Sequence, residues 1–463
     1  MITVCCFVAE GQNVNISVPQ DSTLAKRTVV RRINRKNDRW TLEQCIAYAI
    51  DNNISIKQIE LQRARADIQF DTYRHSTHPN LSASGENTMS FQRVETGDDR
   101  PDNSSQWNSS FSIGSATPIF HGYKIKHEIE KGRIDLQVAT ENLNRAKDDM
   151  SLNITQMYLQ ALFYRETQKV YATQLQQSKS QADRTRALVE EGRLAETQLF
   201  DIEAEVARNN ASLVEASNNV TLALLELRQA MELEEPLFDI VAPDSTAAIE
   251  KSIDELHSPQ TVYDTALEIK PLIKSLQLQV ESARTNMEIT RAAMYPQLDF
   301  IAGYSTSYNH NFRLERLDSR YNSSFGNQLR DNGTTFLGVR IETPIYSRKV
   351  LRNQLSLAEL EVSNLELELQ NTKKTLFKEI QTAYTNAVVS QERYKALAQA
   401  VKAAEESVRH VQERYDAGKS TTYEFAEAQS RLTQSRLELV QAQFDFLFRT
   451  KILDFYYGRP IQL

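Results

Sequence analysis

The chain is written twice, and that duplication restricts what it can fold into more than any other feature. Placing Pro79 over Pro296, an offset of 217, lays His78-Pro79-Asn80-Leu81 over Tyr295-Pro296-Gln297-Leu298. Ile56, Lys57, Leu61, Gln62 and Ala66 then fall on Ile273, Lys274, Leu278, Gln279 and Ala283. Further along the offset becomes 226: Thr117-Pro118-Ile119-Phe120 falls on Thr343-Pro344-Ile345-Tyr346, Tyr158 on Tyr384, and Gly192 on Gly418. The second offset holds without interruption past Gly192. The nine-residue change therefore lies between about 82 and 117 of the first copy, where a loop absorbs it.

Each copy follows one plan. The first opens with a helix over about 41–77, starting at Thr41 with Gln44 three residues on, the pattern of a capping box. Two strands follow, then a helix over about 121–190, a break at Gly192, and a helix ending near Leu233. The second copy predicts a helix over about 259–294, strands near 297–309 and 335–345, and a helix over about 347–416. A break at Gly418 leads to a last helix ending near 456. Only 13 glycines and 11 prolines interrupt 463 residues, which suits long unbroken helices. At 1.5 Å per residue, roughly 70 residues make a helix about 100 Å long, which no compact globular domain requires.

The apolar spacing tells what those helices bury. Leu355, Ala358, Val362, Leu365, Leu369, Thr372 and Leu376 step alternately by three and four, the spacing of a coiled-coil seam. A second stripe runs beside it at Leu357, Leu360 and Leu367. A helix with two adjacent seams touches neighbours on two sides, as in a wall of helices curved into a tube. An ordinary antiparallel bundle accounts for the first stripe alone. Glu359, Glu361, Glu366, Glu368, Lys373 and Lys374 mark faces wetted by solvent.

Between the helices the period shifts to two. Leu337, Val339 and Ile341 share one face of a strand whose other face holds Arg340 and Glu342. Leu298, Phe300, Ala302, Tyr304, Thr306 and Tyr308 share a face of another, and Trp107, Phe111 and Ile113 alternate in the first copy. One apolar and one polar face is the pattern of a strand with lipid on one side and water on the other. Small hairpins packed on the protein itself are the alternative. Phe91, Trp107, Tyr304 and Tyr308 are candidates for an interfacial aromatic belt. The polar segments Asp98–Ser105 and Asn309–Asn332 are expected to be outer loops. Four strands cannot close a barrel, and open edges in lipid leave polar groups unpaired, so membrane-spanning strands demand an oligomer.

Composition narrows the function. A mean hydropathy of −0.50, with no run of 18 apolar residues, excludes a bundle of membrane-spanning helices. A net charge of −7 argues against nonspecific nucleic-acid binding, and the basic stretch Lys26–Arg39 reads as a solvated arm. Residues Ile2–Ala9 are apolar, either the end of a secretory signal or an ordinary N-terminus. Cys5, Cys6 and Cys45 form no disulfide framework, and neither Cys5 nor Cys6 follows the small residues of a lipoprotein signal. Seven histidines are scattered, with His75 and His78 lacking a third metal partner, and no phosphate-loop or dinucleotide motif occurs. No enzyme, cofactor or metal site is expected.

The order of motifs resembles the TolC-like outer-membrane efflux factor family over about residues 40–458. The marks are Trp40-Thr41-Leu42-Glu43-Gln44-Cys45-Ile46-Ala47-Tyr48-Ala49 with Asn52-Asn53, and the paired Thr-Pro turns. The run Glu413-Arg414-Tyr415-Asp416-Ala417-Gly418-Lys419-Ser420 leading into Glu424-Phe425-Ala426-Glu427-Ala428-Gln429 completes them.

The resemblance implies a mainly α fold with a transmembrane β part. Three copies would form a twelve-stranded barrel in the bacterial outer membrane, continuing as a twelve-helix barrel into the periplasm. The division is then an N-terminal arm and signal remnant (1–40), a first repeat (41–233, hairpin 80–118) and an equatorial linker (234–258). A second repeat (259–458, hairpin 297–345) and a tail (459–463) complete it. The implied function is the passive exit duct of a tripartite efflux or type I secretion system, docking to a periplasmic adaptor and an inner-membrane pump or ABC exporter.

By the same resemblance, Gly192, Arg193, Leu194 and Ala195, with Gly418, Lys419, Ser420 and Thr421, form the periplasmic tip that meets the adaptor. Glu424, Glu427 and Tyr415 line the pore aperture, although Thr421-Thr422-Tyr423-Glu424 also reads as a capping box. Two departures, Ser420 where some members carry arginine and Gln198 where the first copy carries an acid, alter the bonding at the gate. A soluble coiled-coil scaffold with ornamental hairpins is the competing reading.

Overall fold

The computed structural model describes residues 39–95, 101–235, 238–242, 257–312, 323–459 and 461. Most of the basic arm, the apolar stretch Ile2–Ala9, Cys5 and Cys6 lie outside the described residues. The first copy comprises β1 (Arg39–Trp40), α1 (Leu42–Asn52), α2 (Ile54–His75), β2 (Asn80–Glu95), β3 (Pro101–His121), α3 (Lys124–Glu190) and α4 (Glu196–Ala230). After β4 (Asp239–Ile240) the second copy brings α5 (Pro259–Ile269), α6 (Pro271–Ala292), β5 (Gln297–Asn311), α7 (Phe325–Asp331), β6 (Thr334–Glu342), α8 (Val350–Asp416) and α9 (Thr422–Tyr457).

The two long helices have 67 residues each. Both begin after a residue in the left-handed region, Tyr123 (φ 66°) and Lys349 (φ 67°), at the 226 offset. Each therefore starts three residues later than the apolar spacing suggests, because a left-handed pair (122–123 and 348–349) turns the chain from strand into helix.

The opening helix of each copy is two helices rather than one. Asn53 and Lys270, related by the 217 offset, are extended (ψ 133° and 125°) and divide them. At Lys270 the following Pro271 disfavours helical backbone. At Asn53 the side chain accepts the Ser55 N–H at 2.8 Å and starts a new helix, while its amide donates to the Ala230 carbonyl at 2.9 Å. Lys270 is buried, with its ammonium 3.2 Å from the centre of the Phe455 ring and 3.4 Å from the Asp148 carboxylate. Burial pulls the Lys270 pKa below its ordinary value and pushes that of Asp148 up.

The four long strands form one antiparallel sheet in the order β2-β3-β5-β6. The first hairpin is longer than its composition suggests. Glu95 pairs with Pro101, so most of the segment expected as a loop, Asp98–Ser105, belongs to β3, and 96–100 lie outside the described residues. The expected outer segment Asn309–Asn332 likewise begins inside β5 and contains α7. The nine extra residues of the second copy fall in this region.

Helix α7 closes an edge. Strand β6 pairs with β5 only from Gln297 to Ser305, so the outer third of β5, paired with β3 on one side, has no strand on the other. There the Gln328 amide accepts the Asn309 N–H at 3.0 Å and donates to the Asn309 carbonyl at 2.9 Å, as a paired strand residue would. Asn332 donates to the Ser307 carbonyl at 2.7 Å and Thr306 to that of Leu329 at 2.5 Å.

Below the sheet the helices lie side by side. α2 packs on α3, α3 on α6, and α6 on α8, so the row runs α2-α3-α6-α8. Further down, α4 packs on α3, α3 on α9, and α9 on α8. The main core lies where the two rows meet, and includes Cys45, Ile154, Tyr158, Leu162, Leu227, Met231 and Leu447. Burial pushes the Cys45 thiol up to about 12, as expected of a packed rather than reactive cysteine. A second cluster joins Val262, Ala266, Ile273, Leu376 and Ile380.

Beside the main core, β1 and β4 pair in parallel. The Tyr158 hydroxyl donates to the Val241 carbonyl at 2.6 Å, and Arg165 donates to the Ile240 carbonyl at 2.9 Å and binds Asp239. Tyr158→Phe removes the donor from a part-buried carbonyl and is expected to cost about 1 kcal/mol. A fall in the thermal midpoint would register it, and an unchanged midpoint would show that water replaces the hydroxyl.

Candidate functional site

Three regions bear on function: the sheet faces, the helical tip and the free lateral edges. Strand register assigns the sheet faces. Trp107 lies opposite Met89 and His310, Phe111 opposite Gly85 and Thr306, Ile113 opposite Ala83 and Tyr304. Phe300 pairs with Val339, Ala302 with Leu337, and Leu298 with Ile341. Paired residues share a face, so every candidate lipid-facing residue falls on one side: Phe91, Trp107, Phe111, Phe300, Tyr304, Tyr308, Leu337, Val339 and Ile341. Leu81 (75% exposed), Phe91 (74%) and Leu337 (72%) are uncovered in the protomer, far more than a packed hairpin face would be. Asn87 and Ser109 interrupt the apolar face and bond to each other. The opposite face carries Ser82, Ser84, Glu86, Thr88, Gln106, Asn108, Ser110, Ser112, Asp299, Ser305, Ser307 and Arg340. Its chief aromatic is Phe336, laid over Gly303, where a Cβ would meet the ring at 2.6 Å.

The aromatics separate by height along the sheet. Trp107 and Tyr308 meet edge to face at 6.1 Å near the outer end, with Phe325 of α7 on Tyr308 at 4.9 Å. Tyr304 sits four residues further in. A second group, absent from the sequence reading, lies at the strand-to-helix junction: Phe120 and Tyr123, 5.5 Å apart, and the exposed Tyr346. The repeated Ile-aromatic pair after each Thr-Pro turn was the signal for it.

At the tip both long helices end in the same way. Gly192 and Gly418 take φ of 72° and 71°. The N–H of Gly192 donates to Val189 and that of Arg193 to Leu188; the N–H of Gly418 donates to Tyr415 and that of Lys419 to Arg414. These are Schellman caps, which glycine permits without steric cost. Gly192, Arg193, Ala195, Gly418, Lys419 and Thr421 are exposed, while Leu194 and Ser420 are half-buried. Tyr423 and Phe200 are exposed close by and carried no periodic signal.

Glu424 closes the capping box with Thr421: its N–H donates to the Thr421 hydroxyl at 3.2 Å, and its carboxylate accepts the Thr421 N–H at 3.4 Å. The Ser420 hydroxyl, that N–H and the Arg414 guanidinium at 3.8 Å hold the Glu424 carboxyl below the ordinary carboxylate range. Glu427 pairs with Arg431 at 2.5 Å. Both candidate aperture acids thus keep a cation nearby.

The two departures from the gate pattern are absorbed locally. Ser420 serves Glu424, and Gln198 accepts from the Thr422 hydroxyl at 3.3 Å, joining α4 to α9. The long helices are tied to each other by Arg184 and Asp416 at 2.6 Å, a pair that is not repeat-related and that sequence reading missed.

Tyr415 stacks on Phe425 at 5.5 Å, and its hydroxyl is cut off from solvent without a hydrogen-bond partner among the described residues. A stranded hydroxyl is destabilising by about 1–3 kcal/mol. Tyr415→Phe is therefore expected to raise the thermal midpoint. A lowered midpoint would show that the hydroxyl has a partner outside the described residues.

The lateral edges are the third region. In the upper row α2 and α8 each have one packed side. The seam Leu355, Ala358, Val362, Leu365, Leu369 and Thr372 is half-buried within the protomer, and Leu376 is fully buried. The second stripe, Leu357 (65%), Leu360 (66%) and Leu367 (64%), is open to solvent. So is a heptad-spaced stripe on α2: Ile54, Leu61 and Ile68. Above them, β2 and β6 are the unpaired edges of the sheet.

Among the described residues no group of acids, histidines and cysteines could hold a metal ion, and no helix is long and apolar enough to cross a membrane.

Known proteins share this arrangement. The chain is 23% identical over 421 residues to the cation efflux system protein CusC of Escherichia coli O157:H7, covering 85% of this chain and 84% of that one. It is 21% identical over 310 residues to the proteases secretion protein PrtF of Dickeya chrysanthemi, spanning 67% of this chain and 64% of PrtF. The Campylobacter jejuni CmeC outer membrane channel superposes with a TM-score of 0.70 at 15% identity, over 90% of this chain and 85% of that one. The profile of the outer membrane efflux protein family matches residues 45–232 and 262–453, the two copies of the repeat. With both repeats matched in full sequence order, the chain belongs to the outer membrane efflux protein family.

Proposed function

We propose that three copies of this chain form an exit duct in the bacterial outer membrane that conducts substrates passively from periplasm to exterior. One observation carries the reading: an open sheet with one predominantly apolar face and two free edges sits above a row of helices whose two end members have uncovered apolar stripes. Three such protomers closing edge to edge satisfy both at once. β6 of one pairs with β2 of the next, and Leu357, Leu360 and Leu367 meet the neighbour's Ile54, Leu61 and Ile68. The result is a twelve-stranded barrel above a twelve-helix barrel.

From Tyr308 to Leu298 the strand rises roughly 34 Å along its axis, or about 25 Å at the usual tilt of membrane strands, the height of an outer-membrane apolar band. Phe91, Trp107 and Tyr308 then form the outer girdle, and Phe120, Tyr123 and Tyr346 the inner one. The polar face and the wetted helix faces line the water-filled interior.

The tip turns Gly192-Arg193-Leu194-Ala195 and Gly418-Lys419-Ser420-Thr421 dock a periplasmic adaptor that links the duct to an inner-membrane pump or ABC exporter. Glu424, Glu427 and Tyr415 form the aperture, held narrow by the Arg184–Asp416 tie in each protomer. The duct serves efflux or type I secretion and performs no chemistry of its own.

The test is fractionation, electrophoresis of unheated sample, and reconstitution into a planar bilayer. Outer-membrane recovery, a trimer-sized band that collapses on boiling, and discrete conductance steps are expected. A soluble monomer or dimer without conductance would instead favour a coiled-coil scaffold, against which the uncovered apolar sheet face already argues.

A further inference from the structure

At the junction of sheet and helices an open cleft of about 650 Å³ lies between the end of α2 and the start of α3. Its wall is apolar: Ile119, Phe120, Tyr123, Ile125 and Ile129. Its rim is basic, formed by Lys126 and His127, with Lys124 beside them. The acids nearby are engaged. Glu130, which also lines the cleft, is bound by Arg133 at 2.5 and 3.2 Å, and Glu128 faces Lys124 at 3.7 Å. His121, also on the wall, is bonded to Asp299 at 2.8 Å.

The 226 offset repeats the pattern. Ile119-Phe120 becomes Ile345-Tyr346, exposed at 93% and 83%, Ile125 becomes Leu351, and Lys126 becomes Arg352. Residues 345–356 hold Arg348, Lys349 and Arg352 and no acid. An uncovered aromatic and aliphatic wall continuous with the apolar sheet face, ending in cations at the level where the sheet stops, matches a molecule with a hydrocarbon chain and an anionic head.

We propose that this junction binds an anionic glycerophospholipid from the leaflet nearer the helices. One acyl chain lies along Ile119, Phe120 and Tyr123, and the phosphate sits against Lys126 and His127. The equivalent site in the second copy uses Tyr346, Lys349 and Arg352. This rests on the exit-duct reading, since only a chain with its sheet in a bilayer presents the junction to lipid headgroups.

The experiment uses the full chain, purified in detergent and titrated with phosphatidylglycerol or phosphatidylcholine under native mass spectrometry. Phosphatidylglycerol should be retained about fivefold more strongly for each engaged cation. Lys126→Glu and, separately, Arg352→Glu should each lower its retention by at least that factor, while Lys57→Glu on α2 leaves it unchanged. Equal retention of the two lipids by the unaltered chain, or undiminished retention by both charge-reversed variants, would overturn the inference. If trimers form in the outer membrane without lipid preference, this inference falls and the duct reading stands. If no trimer reaches the membrane, both fall.

Discussion

Leu360→Asp combined with Leu367→Asp is expected to leave a folded, helical protomer that no longer forms a trimer. Both leucines are exposed on α8, outside the seam that packs within the chain. Far-ultraviolet circular dichroism should therefore be nearly unchanged. In the assembly each leucine would bury against the neighbour's Leu61 and Ile68. Burying a leucine is worth roughly 1.5–3 kcal/mol. Two leucines at each of three interfaces amount to roughly 10 kcal/mol or more before the cost of burying carboxylates is added. The trimer band of unheated samples should vanish. A persisting trimer would show that α8 does not form the edge.

Leu337→Arg, beside Ala302 at mid-height of the apolar face, should block assembly in the outer membrane, whereas Ser305→Arg should be tolerated. The two residues lie on neighbouring strands but on opposite faces. An arginine on the lipid side near the bilayer centre costs about 2–4 kcal/mol per copy, and the trimer carries three. On the polar face an arginine is already present as Arg340 and meets water. Heat-modifiable trimer recovered from outer-membrane fractions separates the cases. If both variants assemble equally, the apolar face does not meet lipid.

The elements most legible in the sequence were those with a repeating signal. Residues two apart in β5 and β6 announced their face, and strand pairing then brought those faces into one surface. Gly192 and Gly418 announced the ends of the long helices because a left-handed residue is required there. Glu424 was legible as a cap, and it does cap.

What escaped depends on single residues or on contacts distant in sequence. Asn53 breaks a helix through one side-chain bond, although Asn52-Asn53 was visible. Tyr123 and Lys349 adopt a conformation that glycine would signal and they do not. Arg184 and Asp416 are 232 positions apart and lie at unrelated places in the two copies, so neither periodicity nor the repeat could pair them. Helix α7 acts through the amide of Gln328, standing in for a missing strand, and seven residues are too few for a helical period to show.

The matched lengths of α3 and α8, 67 residues each, restrict how this molecule can change in size. Adding one residue to either would rotate everything below it by about 100° and lower its turn by about 1.5 Å, turning a buried seam toward water. Only a step that restores the packing phase, seven residues, inserted into both descending helices and compensated in α4 and α9, keeps the two turns level. Variation in reach should therefore come in increments of about 10 Å, with all four helices altered together.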